Sequence, residues 1–278
     1  MGSFGFGGHL MRLRVDGYEL GAQIGFGRLA RVYAARDLAR GADCAVKVLN
    51  APDALAMRAE AAAAAALRHC QGEGWRIATV EAVVLADDGG AGLPALVMPL
   101  VAGVALGDWM QGAPDVAAKL RVLRGVFGAV AAVHGAGLAH NDLGFGNILV
   151  SGGHVTLLDF DRVSGAGLPD QPRDWGAGAF YDGGQGVTCC GVAHDLRALA
   201  ILAALMLGGR HPFVDDPRPL LVHDWRGNSP YDQPPRWFEF DGLCGAAAMR
   251  DWLAPALTMD ARAGAAGLLA RMPHPPAP

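Results

Sequence analysis

HNDLGFGNILV, residues 140–150, is the stretch on which the reading of this chain turns. Asp142 and Asn147 stand five apart in a loop punctuated by Gly144 and Gly146, and the apolar, strand-like run Ile148–Val150 follows. A loop of this kind can set a carboxylate and an amide side by side. A second acid, Asp159, closes the next apolar run in LLDFD, residues 157–161. Carboxylate and amide oxygens are hard ligands of the type Mg²⁺ takes while keeping room for phosphates. With Asn147 and Asp159 as such ligands, Asp142 remains to act as a base.

The rest of the chain supplies room for such a site. It has 278 residues, 52% hydrophobic and 18% charged, a globular composition with enough length for one large domain or two packed lobes. The formal net charge is −4 and no block of Lys or Arg stands out, so no nucleic-acid footprint is expected. The five cysteines (Cys44, Cys70, Cys189, Cys190, Cys244) show no metal-ligand spacing and read as free thiols in a reducing compartment, which points to the cytoplasm. The N-terminus lacks the apolar core of a signal peptide. The most apolar run, Leu196–Leu207, is too short to span a bilayer and reads as a buried helix.

Period and punctuation divide the chain. Residues 18–25, 30–37 and 43–49 are short β-leaning runs separated by glycines and the turn LARGAD. Residues 53–70 switch to an alanine-rich helix with Asp53 as N-cap. IATVEAVVLA and LPALVMPLV then predict two strands around the turn DDGGAG. From Asp115 to His134 the apolar residues Val116, Leu120, Leu123, Phe127 and Val130 fall on one helical face. HVTLLDFDRV reads as a hairpin-like pair of short strands, residues 164–193 as an irregular stretch, and the remainder as mostly helical. The boundaries expected are an extension over 1–16, a β-rich lobe with one helix over 17–101, a larger helical lobe over 102–271, and a frayed Pro-rich tail over 272–278.

Two features of the first lobe bear on chemistry. Gly25 and Gly27 in IGFGRLARVY are either plain turn residues or places where backbone N–H groups approach a phosphate. Lys47 in CAVKVL either snorkels at an edge or, if buried, pairs with an acid, because an unpaired buried ammonium is costly. Glu60, in the middle of the following helix, is the carboxylate placed to pair with it.

Together these features resemble the eukaryotic-type protein kinase family in its bacterial serine/threonine form. The matching elements are Gly25-Phe-Gly27 with Val32, Ala45-Val46-Lys47, Glu60, His140-Asn-Asp142 with Asn147, and Asp159-Phe160. The resemblance runs from about Tyr18 to Arg271 and takes in Asp195 and Asp260-Ala-Arg262. It implies an α+β, bilobal protein kinase-like fold and an ATP- and Mg²⁺- (or Mn²⁺-) dependent transfer of phosphate to a protein or small-molecule hydroxyl. It also implies roles. Lys47 holds the α/β-phosphates and Glu60 holds Lys47. Asn147 and Asp159 bind the metal, and Asp142 accepts the hydroxyl proton. Gly25, Gly27, Val32, Ala45, Met98, Val101 and Leu149 surround the nucleotide, Met98 guarding the adenine pocket and Val101 serving as hinge. Pro99 is compatible, since the family uses the carbonyl there and proline lacks only the N–H.

The departures are specific. Ala30 replaces the third glycine of the loop. Asn141 stands where many family members have an arginine that meets a phosphorylated segment, which suggests activity without that phosphate. Gly144 replaces a lysine near the transferred phosphate, and Arg162 and Arg173 are the candidates to fill in. Asp161 replaces a glycine, as in small-molecule and lipopolysaccharide-type kinases. Ala-Pro-Glu is missing, with Asp182 near its place in YDGGQG. Protein serine/threonine kinase is therefore the leading expectation. A small-molecule or glycan kinase and a non-catalytic kinase-like binding module are the alternatives.

Overall fold

The computed structural model describes residues 13–27, 30–50, 54–90, 92–166, 168, 191–215, 233–240, 243–258 and 264–274. Along the chain its strands are β1 (Arg14–Val15), β2 (Tyr18–Phe26), β3 (Ala30–Asp37), β4 (Ala42–Leu49), β5 (Gln71–Gly72), β6 (Trp75–Ile77), β7 (Ala82–Asp87), β8 (Leu93–Pro99), β9 (Val104–Ala105), β10 (Leu138–Ala139), β11 (Ile148–Ser151), β12 (His154–Leu157) and β13 (Ser164–Gly165). The helices are α1 (Ala54–Leu67), α2 (Leu106–Gln111), α3 (Val116–Gly135), α4 (Val192–Gly208), α5 (Ala246–Leu257) and α6 (Ala265–Ala270). The chain divides into two compact units, residues 1–57 with 80–100, and 58–79 with 101–278.

The first unit is a closed antiparallel barrel in the order β1-β2-β3-β4-β8-β7, with β1 pairing both β2 and β7. Closure leaves no unpaired edge. The β3–β4 turn is set by Asp37, whose Oδ1 accepts from the N–H groups of Ala39 and Arg40, while Gly41 takes the positive φ of 64° that the turn needs. Val15, Ala35, Cys44, Val46, Val48, Ala86, Ala95 and Val97 fill the barrel. Side chains alternate along β4, so Ala45 and Lys47 point away from that core.

The second unit is built on α3 and α4. Asp115 caps α3 by accepting from Ala118 N–H at 2.6 Å. Leu120, Leu123, Phe127 and Val130, the residues of the expected face, are all buried. α4 is buried on nearly every side, from Leu196 to Leu207, and stops where Gly209 adopts a left-handed φ of 63°. The indole N–H of Trp252 on α5 donates to Leu268 O on α6 at 2.9 Å. A five-stranded sheet in the order β5-β6-β12-β11-β9 lies in this unit, along with the two-stranded pair β10–β13.

Two expectations need correction. IATVEAVVLA is not one strand: Ile77 ends β6, parallel to β12, and a new strand, β7, begins at Ala82 in the barrel. HVTLLDFDRV is not a hairpin: only β12 is a strand, pairing with β11, and the chain then turns at Asp159 and rejoins a strand at β13, opposite β10. The short helix α2 was not foreseen. Asp53, Arg173, Asp182, Cys189, Cys190, Asp260 and Arg262 lie outside the described residues.

Candidate active site

In the barrel, cross-strand register groups the residues expected around a nucleotide. Gly25 lies opposite Val32, Val32 opposite Lys47, and Ala45 opposite Met98. Directly opposed residues point to the same side, so Gly25, Val32, Ala45, Lys47 and Met98 share the wall face that looks away from the barrel core. Neither Gly25 nor Gly27 has a positive φ. Among the described residues, a Cβ at Gly25 would meet only Val32 side-chain atoms at 3.5 and 3.6 Å, and one at Gly27 only Ala30 O at 4.0 Å. The described part of the barrel therefore leaves room for a side chain at either position. Lys47 is buried at 5% exposure, which excludes the snorkelling edge lysine.

In the second unit Glu60 lies on α1 and is buried, Val101 precedes β9, and Leu149 sits in β11 opposite Thr156. The 140–150 loop begins just after β10 and makes a single 3-10 turn over Phe145–Asn147 before β11. Five residues of separation and that turn bring Asn147 back to Asp142: its Nδ2 donates to Asp142 O and to Asp142 Oδ2, both at 2.8 Å. The amide oxygen is thereby left to serve as a hard ligand. Asp159, at a left-handed φ of 64°, turns toward the same place. Ligand oxygens of Asp142, Asp159 and Asp161 lie within 4.8 Å of one another. This all-oxygen donor set fits Mg²⁺ or Mn²⁺.

Burial pushes the Asp142 carboxyl above the usual carboxylate range, and the Asp159 charge adds to this; Arg162 and the Asn147 hydrogen bond oppose it without cancelling it. Arg162 Nε stands 3.9 Å from Asp142 Oδ1.

The loop is anchored from beneath. Asp195, in the first turn of α4, accepts from His140 N–H at 2.7 Å, Asn141 N–H at 2.8 Å and His134 Nε2 at 3.0 Å. Its complete burial favours the neutral acid, but the His134 hydrogen bond and the neighbouring donors outweigh burial and hold the carboxyl below its ordinary range. His140 Nδ1 accepts from Asp142 N–H at 3.2 Å, so the ring proton sits on Nε2 and goes to Leu158 O at 2.8 Å. The His140 ring packs on Phe160 at 4.7 Å between centroids.

Sequence reasoning left Asp161 and Arg162 open, read Asn141 only as a lost arginine, and missed His134. The signal for His134 was a histidine closing one apolar helix and an acid opening the next, a pair that only packing of α3 against α4 brings together.

A loop anchored by a buried aspartate and presenting an aspartate, an amide and two further acids, in a chain that also holds a closed β-barrel unit, is the arrangement of a protein kinase. Residues 18–224 match the protein kinase domain family, and the chain belongs to it, with that family's α+β, bilobal fold. The serine/threonine-protein kinase PknB of Mycolicibacterium smegmatis is 35% identical over 154 residues, 52% of this chain and 24% of that protein. A probable serine/threonine-protein kinase, pknA2, of Bifidobacterium longum is 32% identical over 217 residues, 74% of this chain and 28% of that protein. The chain thus spans about a quarter of the length of the curated relatives it matches. Among the described residues no helix is long and apolar enough to cross a membrane.

Proposed function

We propose that this chain is an ATP- and Mg²⁺-dependent cytoplasmic kinase that phosphorylates serine and threonine hydroxyls of proteins. The observation that carries the reading is the Asp142–Asn147 contact at 2.8 Å beside Asp159 and Asp161, in a member of the kinase family. Gly25, Gly27, Val32, Ala45, Met98, Val101 and Leu149 are the nucleotide-binding residues in this reading, Lys47 takes the phosphates, and Glu60 is the acid that matches it. The two glycines support it, because the described residues leave room for a side chain at each, whereas a backbone approached by phosphate favours glycine. Asn147 and Asp159 would hold Mg²⁺ or Mn²⁺, which when bound neutralises charge on the phosphates. Asp142 orients the attacking hydroxyl and takes its proton. Its raised affinity for a proton suits a base, and the Asn147 and His140 contacts fix its direction.

Asp142→Asn keeps the shape and removes the base, so turnover is expected to fall by about 10²- to 10⁴-fold with nucleotide affinity retained. Transfer measured with radiolabelled ATP and a general protein acceptor checks this; unchanged transfer refutes the assignment. A second reading, a small-molecule or glycan acceptor, is favoured by Asp161 in the acidic cluster and by Gly144. Offering labelled ATP with protein mixtures and with metabolite pools separates the two, and autophosphorylation on Ser or Thr supports the first. Mg-ATP binding without transfer to any acceptor favours the non-catalytic alternative.

A further inference from the structure

From Asn141 to Asn147 the loop carries no basic side chain. Yet three carboxylates crowd within 4.8 Å there. Like charges at that separation destabilise one another, and a phosphoryl group arriving beside them adds more negative charge. A positioned cation stabilises the charge that develops on a transferred phosphoryl group. Arg162 is in place: its Nε stands 3.9 Å from Asp142 Oδ1, and both side chains are 21% exposed, reachable by a ligand yet shielded from full solvent screening.

The arginine is held from its own backbone. Asn141 Nδ2 donates to Arg162 O at 2.9 Å, to Ser164 Oγ at 2.8 Å and to Ala139 O at 3.3 Å. Two of these acceptors are carbonyls, so the amide nitrogen, not the oxygen, must face them. Asn141 is buried at 4% exposure with a φ of 62°, a left-handed conformation that Asn adopts more readily than most side-chain-bearing residues, and its N–H is fixed by Asp195. Its Oδ1 is buried with no hydrogen-bond partner among the described residues. A buried oxygen without a partner is costly to maintain and points to a constraint on this amide, whose nitrogen is committed to the three acceptors.

We propose that Arg162 supplies the positive charge at the transferred phosphoryl group and that Asn141 is the positioning residue that holds it there. The inference rests on the phosphotransferase reading. In the transfer, the acceptor hydroxyl oxygen bonds to the γ-phosphorus as the bond to the bridging oxygen breaks. The hydroxyl proton passes to Asp142, and ADP leaves with the electron pair. Arg162 meets Asp142 through Nε at ion-pair distance, and the Nη groups of its planar fork have the geometry to take phosphoryl oxygens. The amide strut needs no phosphate, so the cation is positioned constitutively.

The test uses the full chain. Arg162→Ala is expected to lower kcat by about 10²-fold, with ADP affinity changed less than about threefold. Arg162→Lys should keep more activity, and millimolar methylguanidine should partly rescue Arg162→Ala, which repair of a merely structural defect would not do. Asn141→Ala added to Arg162→Ala should cost little more than Arg162→Ala alone, since one acts through the other. Should Asn141→Ala fail to fold, Ser164→Ala serves as the strut variant. A kcat for Arg162→Ala within about threefold of wild type, or full additivity of the two substitutions, overturns the proposal. Calorimetry with adenylyl imidodiphosphate and ADP gives a second readout that needs no turnover. If wild type binds nucleotide but transfers nothing, the kinase reading fails; loss of triphosphate preference in Arg162→Ala still upholds the cation, and an unchanged preference overturns it. A chain that binds neither nucleotide overturns both.

Discussion

Asp195 concentrates the physics of the site in one residue. A carboxylate with no exposure survives as an anion only if its oxygens are saturated, and here two backbone N–H groups and His134 do so. Because its folded pKa is depressed, its contribution is fully present above the unfolded value of about 3.9 and is lost as pH falls through the lower folded value. Denaturant titrations from pH 7 to pH 3 should show stability falling on the acid side, and Asp195→Asn should flatten that slope. The same variant should lose about 3–5 kcal/mol at neutral pH, since amide cannot satisfy all three donors. At this scale the sequence was informative about identity. Asp142 and Asn147 could be paired from their spacing, because a tight turn returns the fifth residue to the first. The inward aim of Asn141 was not legible, since it depends on contacts with Arg162 and Ser164, some twenty residues on, that local sequence does not announce.

Elements were legible where one face repeats. The α3 stripe was plain because four large apolar residues recur at helical spacing. Gly125 and Gly128, in the interior of α3, were not interpretable, being poor helix formers with no visible purpose. A Cβ at Gly125 would stand 2.9 Å from Gly74 O and 2.9 Å from Val155 Cγ2, so this glycine lets the helix lie against the β5–β6 turn and β12. Gly125→Ala gains about 1 kcal/mol of helix propensity but forces backbone apart, which costs about 1–3 kcal/mol. The net expected outcome is destabilisation, seen as a lower denaturant midpoint with an unchanged m-value. IATVEAVVLA misled for a related reason. Its composition is β-leaning throughout, and only partner strands decide that Ile77 pairs with β12 while Ala82 pairs with β8.

At the scale of the molecule each unit carries its own core, the barrel around Val46 and Val48 and the larger cluster around α3 and α4. Phe127 is fully buried and stacks on Trp252 at 6.0 Å between centroids. Phe127→Ala should cost about 3–5 kcal/mol by thermal or denaturant unfolding, while the conservative Phe127→Leu costs less. What the sequence by itself determined is the chemistry on offer and the family: residue types, their order, and local spacings short enough for a single turn or helix face to enforce. The tertiary structure decided which distant groups meet. Asp195 reaches the loop from 54 residues away, Arg162 comes beside Asp142, and Asp161 joins the other two acids. Those contacts arise from the packing of α3 on α4 and from strand pairings far apart in the chain, and side-chain period carries no record of such encounters.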